Sequence, residues 1–188
     1  MILYIGLQII VTSEGELSMI IALTGHREQR LNLPTDVSDK KWEAINTWIW
    51  NTIFSEINEH PNEKIICFTG LASGSDMALG YTVANMKKAG LDVELHAIAP
   101  CKGYGRKNPN YQFVIENADK VINIHDKWVK TCDNDRDDYM AAKCDKMIAI
   151  YDRIRTGGVF NTIKKCNNYN KEVIYCPEGI VTKYQDIF

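Results

Sequence analysis

The chain has 188 residues, 45% hydrophobic and 24% charged, with a formal net charge of -2. That length suits one domain, which would bury roughly 70% of the surface its unfolded form exposes, and the balance is that of an ordinary globular protein. The near-neutral charge argues against a dedicated duplex-DNA binder and leaves only a local basic patch for nucleic acid.

Met1 to Val11 is apolar, but it is too short to span a bilayer and has no basic residue ahead of it, as a secretory signal would. The expectation is an N-terminal extension or edge strand over residues 1 to 18, followed by one domain over residues 19 to 188. Six cysteines show no CxxC pair, and Cys67 and Cys176 fall inside predicted strands, which suits a reduced, cytoplasmic chain. The four histidines stand at neither HxxxH nor HxH spacing, so no metal site is expected.

Ile20 to Leu23 is an apolar run without polar alternation, as in a strand buried on both faces, and it breaks off into Thr24-Gly25-His26-Arg27. Glu28 to Pro34 reads as loop. Ser38 or Asp39 caps a helix in which Trp42, Ile45, Trp48, Ile49, Ile53 and Ile57 recur at helical spacing to about Glu59. Lys64 to Thr69 is the second strand, and Gly70 to Ser75 a turn. Asp76 to Lys88 is helical, with Gly90 as its cap. Val93 to Ala99 is the third strand, and Pro100 to Pro109 a loop rich in glycine and cations, long enough to fold over a ligand. Tyr111 to Asn117 forms a short helix, Lys120 to Ile124 a fourth strand, and His125 to Asp135 an irregular polar stretch. Helix Arg136 to Lys143, strand Met147 to Tyr151, helix Val159 to Asn168 and strand Glu172 to Cys176 complete the chain. This alternation predicts a three-layer α/β sandwich with a mainly parallel sheet of about six strands.

Three glycine-bearing corners follow predicted strands: Thr24 to Arg27, Gly70 to Asp76 and Thr156 to Thr162. In an open parallel sheet, ligands bind just outside the carboxyl ends of the strands. At the third corner, Gly157-Gly158 lets backbone approach a ligand, and the following helix offers unpaired amides and about half a positive charge, which fits phosphate or carboxylate. Asn161 and Thr162 add side-chain hydrogen bonds there. The second corner repeats the logic with Gly70, Ser73, Gly74 and Ser75. Its Asp76 suits a ribose diol or an amino group, or else simply caps its helix. Arg27 is the leading phosphate contact, because its planar fork holds two oxygens at once, or else it is an ordinary surface arginine. His26 transfers a proton or only hydrogen-bonds the turn. Lys102, Arg106 and Lys107 either close over an anion or form a solvated loop. None of the corners is GxGxxG or GxxxxGK[ST].

Together these stretches resemble the SLOG superfamily, the Rossmann-like proteins that include the DNA-processing protein DprA and the LOG phosphoribohydrolases, and within it the YpsA-like branch. The matching segments are Thr24 to Leu31, GLASGSDMA (Gly70 to Ala78), AIAPCKGYG (Ala97 to Gly105), RDDYMAAKCD (Arg136 to Asp145) and TGGVFNTIKKC (Thr156 to Cys166). The resemblance implies a sheet ordered roughly 4-3-2-1-5-6. It also implies a nucleotide site formed by the three corners with Arg136 and Tyr139, including Pro100 of the AIAPCKGYG segment, and a homodimer. Where the branch reads RNxYMVD, this chain has Asp137 in place of the amide and Ala142 in place of the carboxylate. Val159 replaces the threonine after the paired glycines, and the helix Val159 to Lys165 lacks the glutamate of the phosphoribohydrolase signature PGGxGTxxE.

Three functions follow as expectations. The first is a sensing or sequestering module that binds a nucleotide, a signalling nucleotide or an ADP-ribose-like molecule, with no certain cofactor. The second is a hydrolase of an N-glycosidic or phosphate bond in a nucleotide, with Asp76, Asp137 or Asp152 as the acidic group. The third, and least favoured by the charge, is single-stranded nucleic-acid binding through the cationic loop and Tyr104, Tyr111 and Trp128.

Overall fold

The computed structural model describes residues 17–181. The expected edge strand within Met1 to Val11 lies outside them. All six predicted strands form: β1 (Leu17–Gly25), β2 (Glu63–Thr69), β3 (Val93–Cys101), β4 (Lys120–His125), β5 (Lys146–Ile150) and β6 (Glu172–Tyr175). They make one sheet in the order β4-β3-β2-β1-β5-β6, with every neighbouring pair parallel, as the family resemblance implied. The chain builds outward from β1 to the β4 edge, then returns to the other side of β1 with β5. The reversal therefore falls between β1 and β5, whose carboxyl ends pair through Thr24↔Ala149 and Gly25↔Ile150. A crevice opens at such a switch point because the connections leave its two sides in opposite directions.

Helices α2 (Glu43–Glu59), α3 (Ser75–Lys88) and α4 (Tyr111–Asn117) cover one face, and α5 (Cys132–Lys143) and α6 (Gly157–Asn168) cover the other. Met19, Ile21 and Leu23 of β1 pack toward the first layer while Ala22 packs toward the second. That two-sided burial is why the strand shows no polar alternation. On α2, Ile45, Ile49 and Ile53 recur one turn apart and are buried against the sheet, each contributing about 2 kcal/mol of transfer free energy. Trp42 ends a preceding 3₁₀ turn (Lys40–Trp42) capped by Asp39; its indole is fully buried and its Nε1 donates to Pro34 O at 2.8 Å.

The structure corrects the reading at several boundaries. Glu28 to Leu31, expected as loop, forms a four-residue helix, α1 (Glu28–Leu31), ended by Asn32 in the left-handed conformation at φ 52°. β3 continues through Pro100 to Cys101, which Pro100 permits because pairing with β2 has already stopped at Thr69↔Ala97. Helix α5 begins at Cys132 rather than Arg136. Gly90 stands one residue beyond the C-cap Ala89, and buried Cys176 lies just after β6.

Candidate functional site

A cleft of about 430 Å³ lies at the switch point. Its floor is Thr24, Gly25 and His26 at the end of β1. Arg27, Gln29 and Arg30 wall one side, and Thr156 to Val159 at the start of α6 another. Asp133, Arg136, Asp137 and Met140 of α5 close it, spaced as one helical face, with Ala72 and Asp76 from the second corner.

The first two corners are locked together. Ser75 N donates to His26 O at 3.2 Å and Ser75 Oγ to the same oxygen at 2.7 Å. Gly74, at φ +81°, passes so near the first corner that a Cβ there would stand 2.6 Å from Glu28 N. Only glycine fits that approach and that backbone conformation. The third corner is open instead. Gly157 has φ +83°, and a Cβ built at Gly157 or Gly158 meets no protein atom within 4 Å. The N-cap Thr156 makes no side-chain capping hydrogen bond, so the first amides of α6 face the cleft without a side-chain partner.

Arg136 is the buried hub. It is 7% exposed; its Nη1 donates to Gly70 O and to Asp76 Oδ2 (3.3 Å), and its Nε to Asp137 Oδ1 (2.7 Å). Burial opposes its charge, but Asp137 and Asp76 hold the guanidinium firmly protonated. Asp137 also accepts from Thr162 Oγ1 at 3.1 Å, which ties α5 to α6. Asp76 accepts from Ala72 N at 3.1 Å. Burial pushes its carboxyl up to about 6, against the pull of Arg136. Between about pH 4 and pH 6 Asp76 therefore keeps a proton that an exposed carboxylate would have lost, and near pH 7 it is mostly ionised against Arg136.

A second cluster orients the first corner. Asp152, after β5, accepts from Arg30 Nε at 2.7 Å and lies 3.0 Å from His26 Nε2. Burial works against its charge, yet Arg30, the Ile154 amide and His26 hold it below the usual carboxylate range. His26 is driven the other way, chiefly by burial, so its imidazole stays neutral at pH 7 despite Asp152. Arg27 is exposed and makes no ion pair among the described residues.

The family model described as the YspA SLOG family matches residues 21–183. The chain belongs to this SLOG family. Every structural element from β1 to β6 lies within or overlaps that span, and membership points to nucleotide-related binding or processing. No curated protein matches the chain. Among the described residues, no helix is long and apolar enough to cross a membrane.

Of the residues singled out in this SLOG chain, the cleft gathers Thr24, Gly25, His26, Arg27, Asp76, Arg136, Asp137, Gly157, Gly158 and Thr162. Gly70 and Gly74 are buried behind it as spacers for Arg136 and Arg27. Ser73 lines a neighbouring cavity of about 600 Å³. Pro100 is buried in β3, and Tyr139 stacks on Phe68 with ring centroids 6.3 Å apart, on the sheet side of α5. Asn161 is exposed and lines neither cavity, while Asp152 acts from behind His26 and Arg30. Sequence reasoning missed Asp133, Gln29, Arg30 and Ala72. Asp133 lies three residues before Arg136 on one helical face, a relation that appears only once α5 is seen to begin at Cys132. The pairing of Arg30 with Asp152 spans 122 positions and leaves no local signal.

Proposed function

We propose that this protein binds a nucleotide or nucleotide-derived ligand at the carboxyl edge of its sheet and acts as a sensing or sequestering module. The observation that carries the reading is the third corner: two residues without Cβ atoms, open space where those atoms would stand, and α6 amides without a side-chain cap, in one cleft with Arg27, which makes no ion pair among the described residues. A phosphate there accepts from backbone amides while the helix dipole and Arg27 meet its charge. Asp76 and Asp137 stand across the cleft, suited to ribose hydroxyls. A melting-temperature screen against nucleoside mono-, di- and triphosphates, cyclic nucleotides and ADP-ribose tests it. A true ligand at a hundred times its Kd adds about 2.7 kcal/mol of stability and is recovered unchanged. A panel that leaves the melting temperature unmoved overturns the reading.

Asp76 supports a second reading. Its carboxyl, pushed up to about 6 and lining the cleft, suits a general acid that protonates a departing base while water adds to the ribosyl carbon. Release of free base from a nucleoside monophosphate, lost in Asp76→Asn, would establish that activity; absence of release across the panel would reject it.

A further inference from the structure

Arg27 belongs to two cavities. The second, of about 600 Å³, lies between the second corner and the loop after β3, and Arg27 lines both. The two differ sharply in charge. The first cleft sets Arg27, Arg30 and Arg136 against Asp76, Asp133 and Asp137, and Arg136 is already spent on two of those carboxylates. Around the second stand Arg27, Arg106 and Lys107, and no carboxylate lines it among the described residues. None of these three cations makes an ion pair among the described residues. The Tyr104 hydroxyl, in the same wall, has no hydrogen-bond partner there either.

The loop that carries these groups is held in place. Gly105, at φ +83°, lies so close to the second corner that a Cβ would stand 3.0 Å from Leu71 O and 3.1 Å from the Tyr111 ring. Lys102 N donates to His125 O at 3.1 Å and Asn108 N to Gly105 O at 2.9 Å. Asn110 Nδ2 bonds Thr35 O at 2.9 Å, fastening the end of the loop to the segment after α1. Docked in this way, the loop's backbone needs little ordering on binding, while the exposed Arg106 and Lys107 side chains stay free to turn toward an anion.

From this contrast we propose that the ligand is a multiply phosphorylated nucleotide whose outer phosphates pass Arg27 into the second cavity and meet Arg106 and Lys107. The proposal rests on the nucleotide reading above and extends it by naming the end of the ligand that discriminates. The first cleft holds the nucleoside and its proximal phosphate at the α6 amides. The second supplies cations that a monophosphate does not reach.

The test is calorimetric titration of the full chain with the mono-, di- and triphosphates of one nucleoside, for adenosine and for guanosine. Affinity should climb with phosphate number, and the gain should shrink as salt is raised. In Arg106→Gln/Lys107→Gln the triphosphate should lose roughly a hundredfold or more, the size expected when two charge-assisted hydrogen bonds go, while the monophosphate binds as before. An unchanged melting temperature of the free variant verifies its fold, and the single variant Lys107→Gln, expected to fall between, serves if the double one is unstable. A triphosphate that binds no better than the monophosphate, or a variant that weakens both alike, overturns the proposal and leaves the nucleotide reading intact. Absence of binding by every member would sink both.

Discussion

A Cβ on Gly74 would stand 2.7 Å from the Arg27 α-carbon, so the second corner touches the first corner's backbone with no room between them. That contact fixes where the Arg27 side chain leaves the chain, and hence which cavities it serves.

Gly74→Ala should accordingly be among the most damaging small substitutions in the protein. It forces an L side chain into φ +81° and against Glu28 N at 2.6 Å. Left-handed strain and overpacking together predict a loss of about 2 to 4 kcal/mol, read as a lower denaturation midpoint in urea. An unchanged midpoint would mean that the two corners are not in contact.

Arg136→Met removes the hub while keeping much of its volume. Asp76 and Asp137 are then left partly buried without their cation, and Gly70 O without its donor. Breaking a buried pair from one side costs about 3 to 5 kcal/mol. Adding Asp76→Asn should restore part of that loss, because it removes a buried charge the arginine no longer meets. A double variant as unstable as the sum of the singles would contradict the pairing.

Asp76 also sets a pH dependence. Its carboxyl sits at about 6 in the folded chain, above the unfolded value of about 3.9. The folded state therefore holds the proton more tightly. Stability from this group is fully present below the unfolded value and is lost as pH rises through about 6, by no more than about 3 kcal/mol. His26, pushed below its usual range, has the opposite sign over neighbouring pH. The difference between wild type and Asp76→Asn isolates the aspartate: wild type should lose ground to the variant between pH 4 and pH 7. A constant difference would place the Asp76 carboxyl at its ordinary value.

Much of this was legible in the chain itself, for physical reasons that differ by element. The strands announce themselves through runs such as Ile20 to Leu23, because a strand with a helical layer on both faces has no polar positions. The corners are marked by glycine, since close approach and positive φ leave few alternatives. Helix α1 was invisible because four residues carry no periodicity. The start of α5 was hidden because Cys132 to Asp135 shows the solvent mostly polar side chains and Thr131 makes no side-chain cap. Tyr139 and Asn161 show the limit of naming neighbours of a site. One residue along a helix turns a side chain by about 100°, so Met140 and Thr162 face the cleft while Tyr139 faces Phe68 and Asn161 faces solvent.

Gly158→Leu probes directly whether a ligand lies at the start of α6. Because a Cβ there meets nothing within 4 Å, Gly158→Leu should fold with a melting temperature at or slightly above wild type, gaining up to about 0.8 kcal/mol of helix propensity. Its side chain would stand where the phosphate is proposed to lie. Calorimetric titration of both proteins with the nucleotide that stabilises wild type most should give saturable binding to wild type and a loss of about a hundredfold or more in the variant. Equal affinity in the two would place the ligand elsewhere and contradict the account.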